Sequence, residues 1–195
     1  MIMAVNPIID RSLLHFPEET RRRFAFLEAL GFRCLRSEAT LVRYESTAMA
    51  ICIYQGRQSY EVALEIQSMQ GPAESYSFSE ILRLVDPKRA DGYRNFVAHT
   101  AEGVAEGVLR LAGLLHECLD AGILSDGRLF SRLKLQRIDM SRNYALEVQL
   151  KGAQNELKSA WAKKDFSKVV QILSPLQEHL NPSDLRKLEY AKKHR

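Results

Sequence analysis

An α+β fold is predicted for this 195-residue chain from three features. A capped helical segment comes first. A run of strict period-two alternation follows it. Helical periodicity then holds through the second half. The expected architecture is an N-terminal helix packed on a three- to four-stranded antiparallel meander, followed by a mostly helical C-terminal half. The length suits one domain with a small appendage. We expect an α+β domain over 1–150 (sheet 33–67, helices 78–150) and a helical hairpin over 151–195.

The opening helix is "FPEETRRRFAFLEALGF". Pro17 suits a first helical turn, Glu18 and Glu19 complement the N-terminal dipole, and Gly31 suits the position past the end. Phe24, Leu27 and Leu30 form its apolar stripe. "RCLR" at 33–36 is a short strand candidate. Val42 and Tyr44 then alternate with Arg43 and Glu45. Met49, Ile51 and Ile53 alternate with Ala50, Cys52 and Tyr54. Tyr60, Val62, Leu64 and Ile66 alternate with Glu61, Ala63 and Glu65. Ser46-Thr47 and residues 55–58 are short enough for hairpin turns. One face of this meander is apolar and the other polar.

"MQGPAESYS" reads as a loop, and Ser77 with Glu80 as a capping box opening a helix at Phe78. Asp86-Pro87 ends that helix and caps the next, which is expected to carry Tyr93, Phe96 and Val97. Thr100 caps a third, with Val104, Val108, Leu111, Leu115 and Leu119 on one stripe and Gly122 past its end. After a turn at 125–127, a long helical pattern runs from about Arg128 toward Lys164. Phe130, Leu133, Tyr144 and Val148 are among its apolar positions, and Gly152 is the expected break.

In the last 40 or so residues, Ala160 and Trp161 sit on one helix and Lys164-Asp165-Phe166 at a turn. Val169, Val170, Leu173 and Leu176 follow on a second helix, which Pro175 should kink. Asn181-Pro182 opens a third, with Leu185, Leu188 and Ala191. This stretch resembles a single tetratricopeptide-type helical hairpin. The resemblance implies a shape and carries over no binding residues. It departs from that family at Leu157, where the family has a small residue.

Composition narrows the function classes. Hydrophobic residues at 46% and charged residues at 27% describe a globular chain. No apolar run approaches the roughly 18 residues that span a bilayer, so no membrane association is expected. MIMAVNPIIDRS lacks the basic n-region and long apolar run of a signal peptide. Three scattered cysteines, Cys34, Cys52 and Cys118, without a C-x-x-C pair suit a reducing compartment, and a cytoplasmic location is expected. Residues 151–195 carry 10 Lys+Arg and 5 Asp+Glu, giving +5, while the first 150 carry 18 and 19, giving −1. The excess charge is all in the tail.

The search for chemistry is mostly one of exclusion. Phosphate-loop, dinucleotide and nucleophile-elbow motifs are absent. Glu61 and Glu65, four apart on one strand, would be about 13 Å apart, too far for a glycosidase pair at about 5–10 Å. His116 and Cys118 are two apart on a helix and point to different sides. No cofactor or metal is expected and no enzyme activity is assigned, although a site built from dispersed residues stays open. Arg43, Glu45, Tyr54, Arg57, Glu61 and Glu65 mix Tyr, Arg and carboxylates as protein interfaces do. They are the candidate protein-binding residues. On the competing reading, later helices cover that face at Ala50, Cys52 and Ala63. Lys163, Lys164, Lys168, Lys187, Lys192 and Lys193 are candidates for nucleic-acid binding, with Trp161, Phe166 and Tyr190 expected in core packing.

"LVRYES" leading into "SYEVALEI", within this helix–meander–helices order, resembles small cytoplasmic bacterial proteins. Some of these are immunity proteins, which neutralise a toxin partner. The resemblance implies a stoichiometric protein-binding role without a cofactor.

Overall fold

The computed structural model describes residues 10–72 and 74–195; the N-terminal stretch MIMAVNPII, read above for a signal peptide, lies outside them. The fold is α+β. The chain divides into two compact units, with the division after Lys134. Among the described residues no helix is long and apolar enough to cross a membrane.

The first unit is built on a sheet in the order β1-β2-β3-β4-β5. Its strands are β1 (Arg33–Glu38), β2 (Leu41–Glu45), β3 (Met49–Gln55), β4 (Glu61–Ser68) and β5 (Ser75–Ser77), and β6 (Phe96–Val97) also pairs with β4. All pairings are antiparallel. The predicted meander is therefore present and is extended by β5. Residues 75–77 read as loop from the sequence, yet Tyr76 lies opposite Ile66 and is buried in the core. Three residues are too few to show alternation. At the other edge, β1 bulges at Leu35, which stands exposed. A bulge blunts an edge strand against unwanted pairing.

The opening helix is two pieces, α1 (Phe16–Arg23) and α2 (Phe26–Ala29). Phe24, at φ −100° and ψ 11°, leaves the helical well between them. Phe24 and Leu27 are buried as predicted, but Leu30, beyond α2, is exposed. The capping box at Ser77 and Glu80 starts α3 (Phe78–Val85), and the Asp86 side chain caps α4 (Pro87–Gly92). This helix stops at Gly92, so Tyr93, Phe96 and Val97 are not helical: β4 recruits Phe96–Val97 as a strand. Thr100 caps α5 (Ala101–Asp120), and Gly122 follows with φ +71°. That left-handed conformation is where glycine ends helices at no steric cost.

One apolar core joins α1, α2, α3 and α5 to one face of the sheet. It contains Phe16, Phe24 and Leu27, then Ile81 and Leu82, then Val104, Val108, Leu111 and Leu115, against Val42, Ile53 and Leu64. The Phe96 ring packs on the backbone of Gly107. A Cβ placed there would stand 2.8 Å from Phe96 Cδ1.

α6 (Leu129–Ala162) places Leu129 and Leu133 in this core and Leu157 and Ala160 in that of the second unit. It passes Gly152 unbroken. A lone glycine costs a helix only about 1 kcal/mol, too little to end one of 34 residues. Tyr144 and Val148, expected on its apolar stripe, are 70% and 51% exposed. In the second unit, α7 (Phe166–Leu173) ends before Pro175, and residues 174–179, expected as a helix kinked at Pro175 and carrying Leu176, form a separate 3-10 helix instead. α8 (Pro182–His194) is capped by Asn181. Leu157, Ala160, Val169, Leu173, Leu188 and Ala191 form the core.

Asp184 is buried beside that core. Its carboxylate accepts from Gln154 Nε2 at 2.7 Å, Asn181 Nδ2 at 2.8 Å and Lys187 Nζ at 2.8 Å. Burial alone would raise its pKa, but the donors from Lys187, Gln154 and Asn181 together hold it below the ordinary carboxylate value.

Two predictions follow from this packing. Gly107→Ala should lower urea stability by about 1 kcal/mol, because overpacking costs about 1–3 kcal/mol and outweighs the gain in helix propensity. Gly113→Ala on the same helix, with nothing within 4 Å of its Cβ position, should instead raise it. For Asp184, a depressed folded pKa stabilises the fold above the unfolded value, about 3.9, and that stability is lost as pH falls through the folded one. Thermal unfolding followed at Trp161, the chain's single tryptophan, should shift to lower temperature between about pH 5 and 2. Asp184→Asn should be less stable at pH 6 and lose its share of that acid shift.

Candidate functional site

The pairing register sorts the strands' side chains into two faces. Arg36, Arg43, Cys52, Glu65 and Ser77 are successive cross-strand partners, forming one rank across five strands. Glu45, Ala50 and Gln67 form the rank on one side, and Leu41, Tyr54 and Ala63 the rank on the other. Because facing residues share a face, these ranks make one polar surface opposite the core.

Arg43 organises that surface. Its Nε donates to Glu45 Oε1 within the strand. Its Nη1 reaches Cys52 Sγ at 3.3 Å on β3 and Gln67 Oε1 at 2.8 Å on β4. The guanidinium thus bridges three strands. Alongside it, Tyr54 Oη donates to Glu65 Oε1 at 3.1 Å. Arg43 and Glu45 keep 24% and 22% of their side-chain surface open to solvent. Ala50, Cys52 and Ala63 are buried, yet none belongs to the core cluster that takes up the opposite face. Arg43 lies against Cys52 among these small residues.

Of the six residues singled out from the sequence, Arg43, Glu45, Tyr54 and Glu65 come together here. Glu61 shares the face by alternation with Ala63 and Glu65 and lies close enough to Tyr54 to act on its pKa. Arg57 is in the β3–β4 turn, where its carbonyl accepts from Arg11 Nη2. Arg11 also lies 3.8 Å above the Tyr60 ring centroid. Gln67 and Cys52 are the members that sequence reasoning missed. Only the register, which sets Arg43 opposite Cys52 and beside Gln67, reveals them.

Burial pushes the Tyr54 phenol up to about 12, with the Glu65 carboxylate adding to the effect. Burial also raises Cys52, against the lowering influence of Arg43. Cys118 is pushed by burial up to about 11. Both thiols are therefore protonated near neutral pH and poor nucleophiles. The polar surface offers fixed donors, at Arg43, beside fixed acceptors, at Glu45, Glu65 and Gln67. Such a mosaic suits recognition by complementary hydrogen bonds and charges.

The six tail lysines are dispersed. Lys163 and Lys164 lie in the α6–α7 turn, Lys168 on α7, and Lys187, Lys192 and Lys193 on α8. Lys187 pairs with Asp184, and Lys192 donates to Gln177 Oε1. Of the tail aromatics expected in core packing, Trp161 and Phe166 do pack against the core, and Tyr190 does not. Trp161 and Phe166 are half-buried at the core's rim, and Tyr190 is 48% exposed. The core itself is made of Leu157, Ala160, Val169, Leu173, Leu188 and Ala191.

The Tyr54 environment has a measurable consequence. A folded pKa raised to about 12 from about 10 unfolded stabilises the fold fully below pH 10, and that stability is lost as pH rises toward 12. The urea midpoint should fall across that window, and Tyr54→Phe should fall less steeply. No family model, curated protein or solved structure matches the chain, and the case for its function rests on these side chains.

Proposed function

We propose that this is a non-enzymatic binding protein of the cytoplasm that docks a partner protein through the polar face of its sheet. The observation that carries the reading is the Arg43–Glu45–Cys52–Gln67 network beside the Tyr54–Glu65 pair, set over small side chains that the core does not use. Side chains already held by mutual hydrogen bonds lose less freedom on association, which favours affinity. Tyr and Arg are the residue types that most often dominate interface energetics. The three cysteines are all free thiols, in keeping with a reducing compartment. The immunity-protein resemblance implies the specific form of this role: a stoichiometric, cofactor-free inhibitor of another protein.

The test is affinity capture from nuclease-treated lysate of the native host, comparing wild type with Arg43→Glu and Tyr54→Ala. The expected outcome is one protein retained stoichiometrically by wild type and lost from both variants, whose circular dichroism stays unchanged. Truncating an anchor residue typically costs about 2 kcal/mol or more, or roughly thirtyfold in affinity. Full retention by both variants would remove the sheet face as the docking surface.

A further inference from the structure

We infer that the second unit carries a binding site for single-stranded nucleic acid, built on the aromatic cluster of Trp161, Phe166, Tyr190 and His194. The first three rings are mutually edge-on. Their centroids lie 5.9 Å (Trp161–Phe166), 5.7 Å (Trp161–Tyr190) and 5.5 Å (Phe166–Tyr190) apart. His194 continues the group 4.1 Å from Tyr190. The cluster brings together the end of α6, the start of α7 and the end of α8. It sits on the core's rim, with Trp161 and Phe166 half-buried and Tyr190 about half exposed. An unpaired base of any identity stacks on a held aromatic ring, and Tyr190 is the most open to solvent of the three edge-on rings.

Charge surrounds the rings. Lys163 and Lys164 occupy the turn joining Trp161 to Phe166, and Lys168 lies in the first turn of α7. Arg186 and Lys193 stand four residues before and three after Tyr190, on its side of α8. Among the described residues no carboxylate is ion-paired with Lys163, Lys164, Lys168 or Lys193. Of the nearby acids, Asp165 caps α7, Asp184 is buried, and Glu189, one residue before Tyr190, is exposed. Residues 135–195 carry 12 Lys+Arg against 7 Asp+Glu, a net +5, whereas the first 134 carry 16 against 17.

Two other ligands use parts of this chemistry. A methylated ammonium group also seeks aromatic rings, but these lysines would repel it. A duplex offers phosphates while hiding its base faces. A single strand uses both the rings and the charge.

The experiment titrates the full chain with short labelled oligo(dT) and oligo(U), reading anisotropy together with the emission of Trp161, the chain's single tryptophan. Both strands should quench Trp161, and affinity should fall steeply between about 50 and 200 mM salt. A preference for one strand identifies the source as RNA or DNA. Tyr190→Ala should weaken binding at least about fivefold, while Tyr190→Phe, which keeps the ring, should bind as wild type. Lys163→Glu with Lys164→Glu should weaken binding and flatten the salt dependence. A hairpin duplex should bind more weakly than either strand. The proposal is overturned by unquenched Trp161 at saturation, by unchanged affinity in Tyr190→Ala, or by inorganic polyphosphate competing as well as unlabelled oligonucleotide. None of these outcomes bears on partner docking by the sheet, whose readout is protein retention.

Discussion

The pairing register of β2, β3 and β4 is the constraint on which the first unit depends. It aligns Val42, Ile53 and Leu64 in one rank and Tyr44, Ile51 and Ile66 in the next, all buried against the helices. The same register puts Arg43, Cys52 and Glu65 in line on the far side. A slip of one residue in any strand would exchange its faces, exposing an apolar row and burying a charged one. Core and polar surface are therefore one arrangement seen from two sides. Burial of the apolar ranks is what holds the Arg43 network in place.

The helices lock that arrangement from the apolar side. α1 and α5 pack on each other and on the sheet's apolar side. Gly107 lets Phe96 approach the α5 backbone, so β6 can pair with β4 directly beneath the helix. Gln55, buried at the end of β3, donates to the Ala98 carbonyl at 3.0 Å and ties that strand to the segment leading into α5. Tyr44 buries its whole ring. Its hydroxyl has no protein hydrogen-bond partner, and burial pushes it up to about 12.

The second unit solves a different problem. Six small and medium apolar residues are a modest core, and two additions support it. Asp184 gathers donors from Gln154 on α6, from the Asn181 cap and from Lys187 on α8. The aromatic rim then covers one end of the core, contributing buried area where full burial is unavailable.

Local chemistry is legible in this chain wherever the signal is itself local. The α+β class, the meander with its two faces, the Ser77–Glu80 box, the Thr100 and Asn181 caps and the glycine after α5 all follow from nearest-neighbour spacing. Four members of the polar cluster were visible as alternating polar residues. What lay beyond the sequence depends on partners distant in the chain. β5 and β6 are strands because β4 offers hydrogen bonds to segments too short to show a period. Cys52 and Gln67 join Arg43 because the register places them there. Tyr190 looks like a core residue in any local window, and only the packing of α6, α7 and α8 leaves it half exposed beside Trp161 and Phe166. Sequence alone determined which residues seek burial and which caps open several of the helices, though not that the opening helix splits at Phe24 or that α4 stops at Gly92. Tertiary structure decided which of them found room inside, because burial depends on the space neighbouring elements leave.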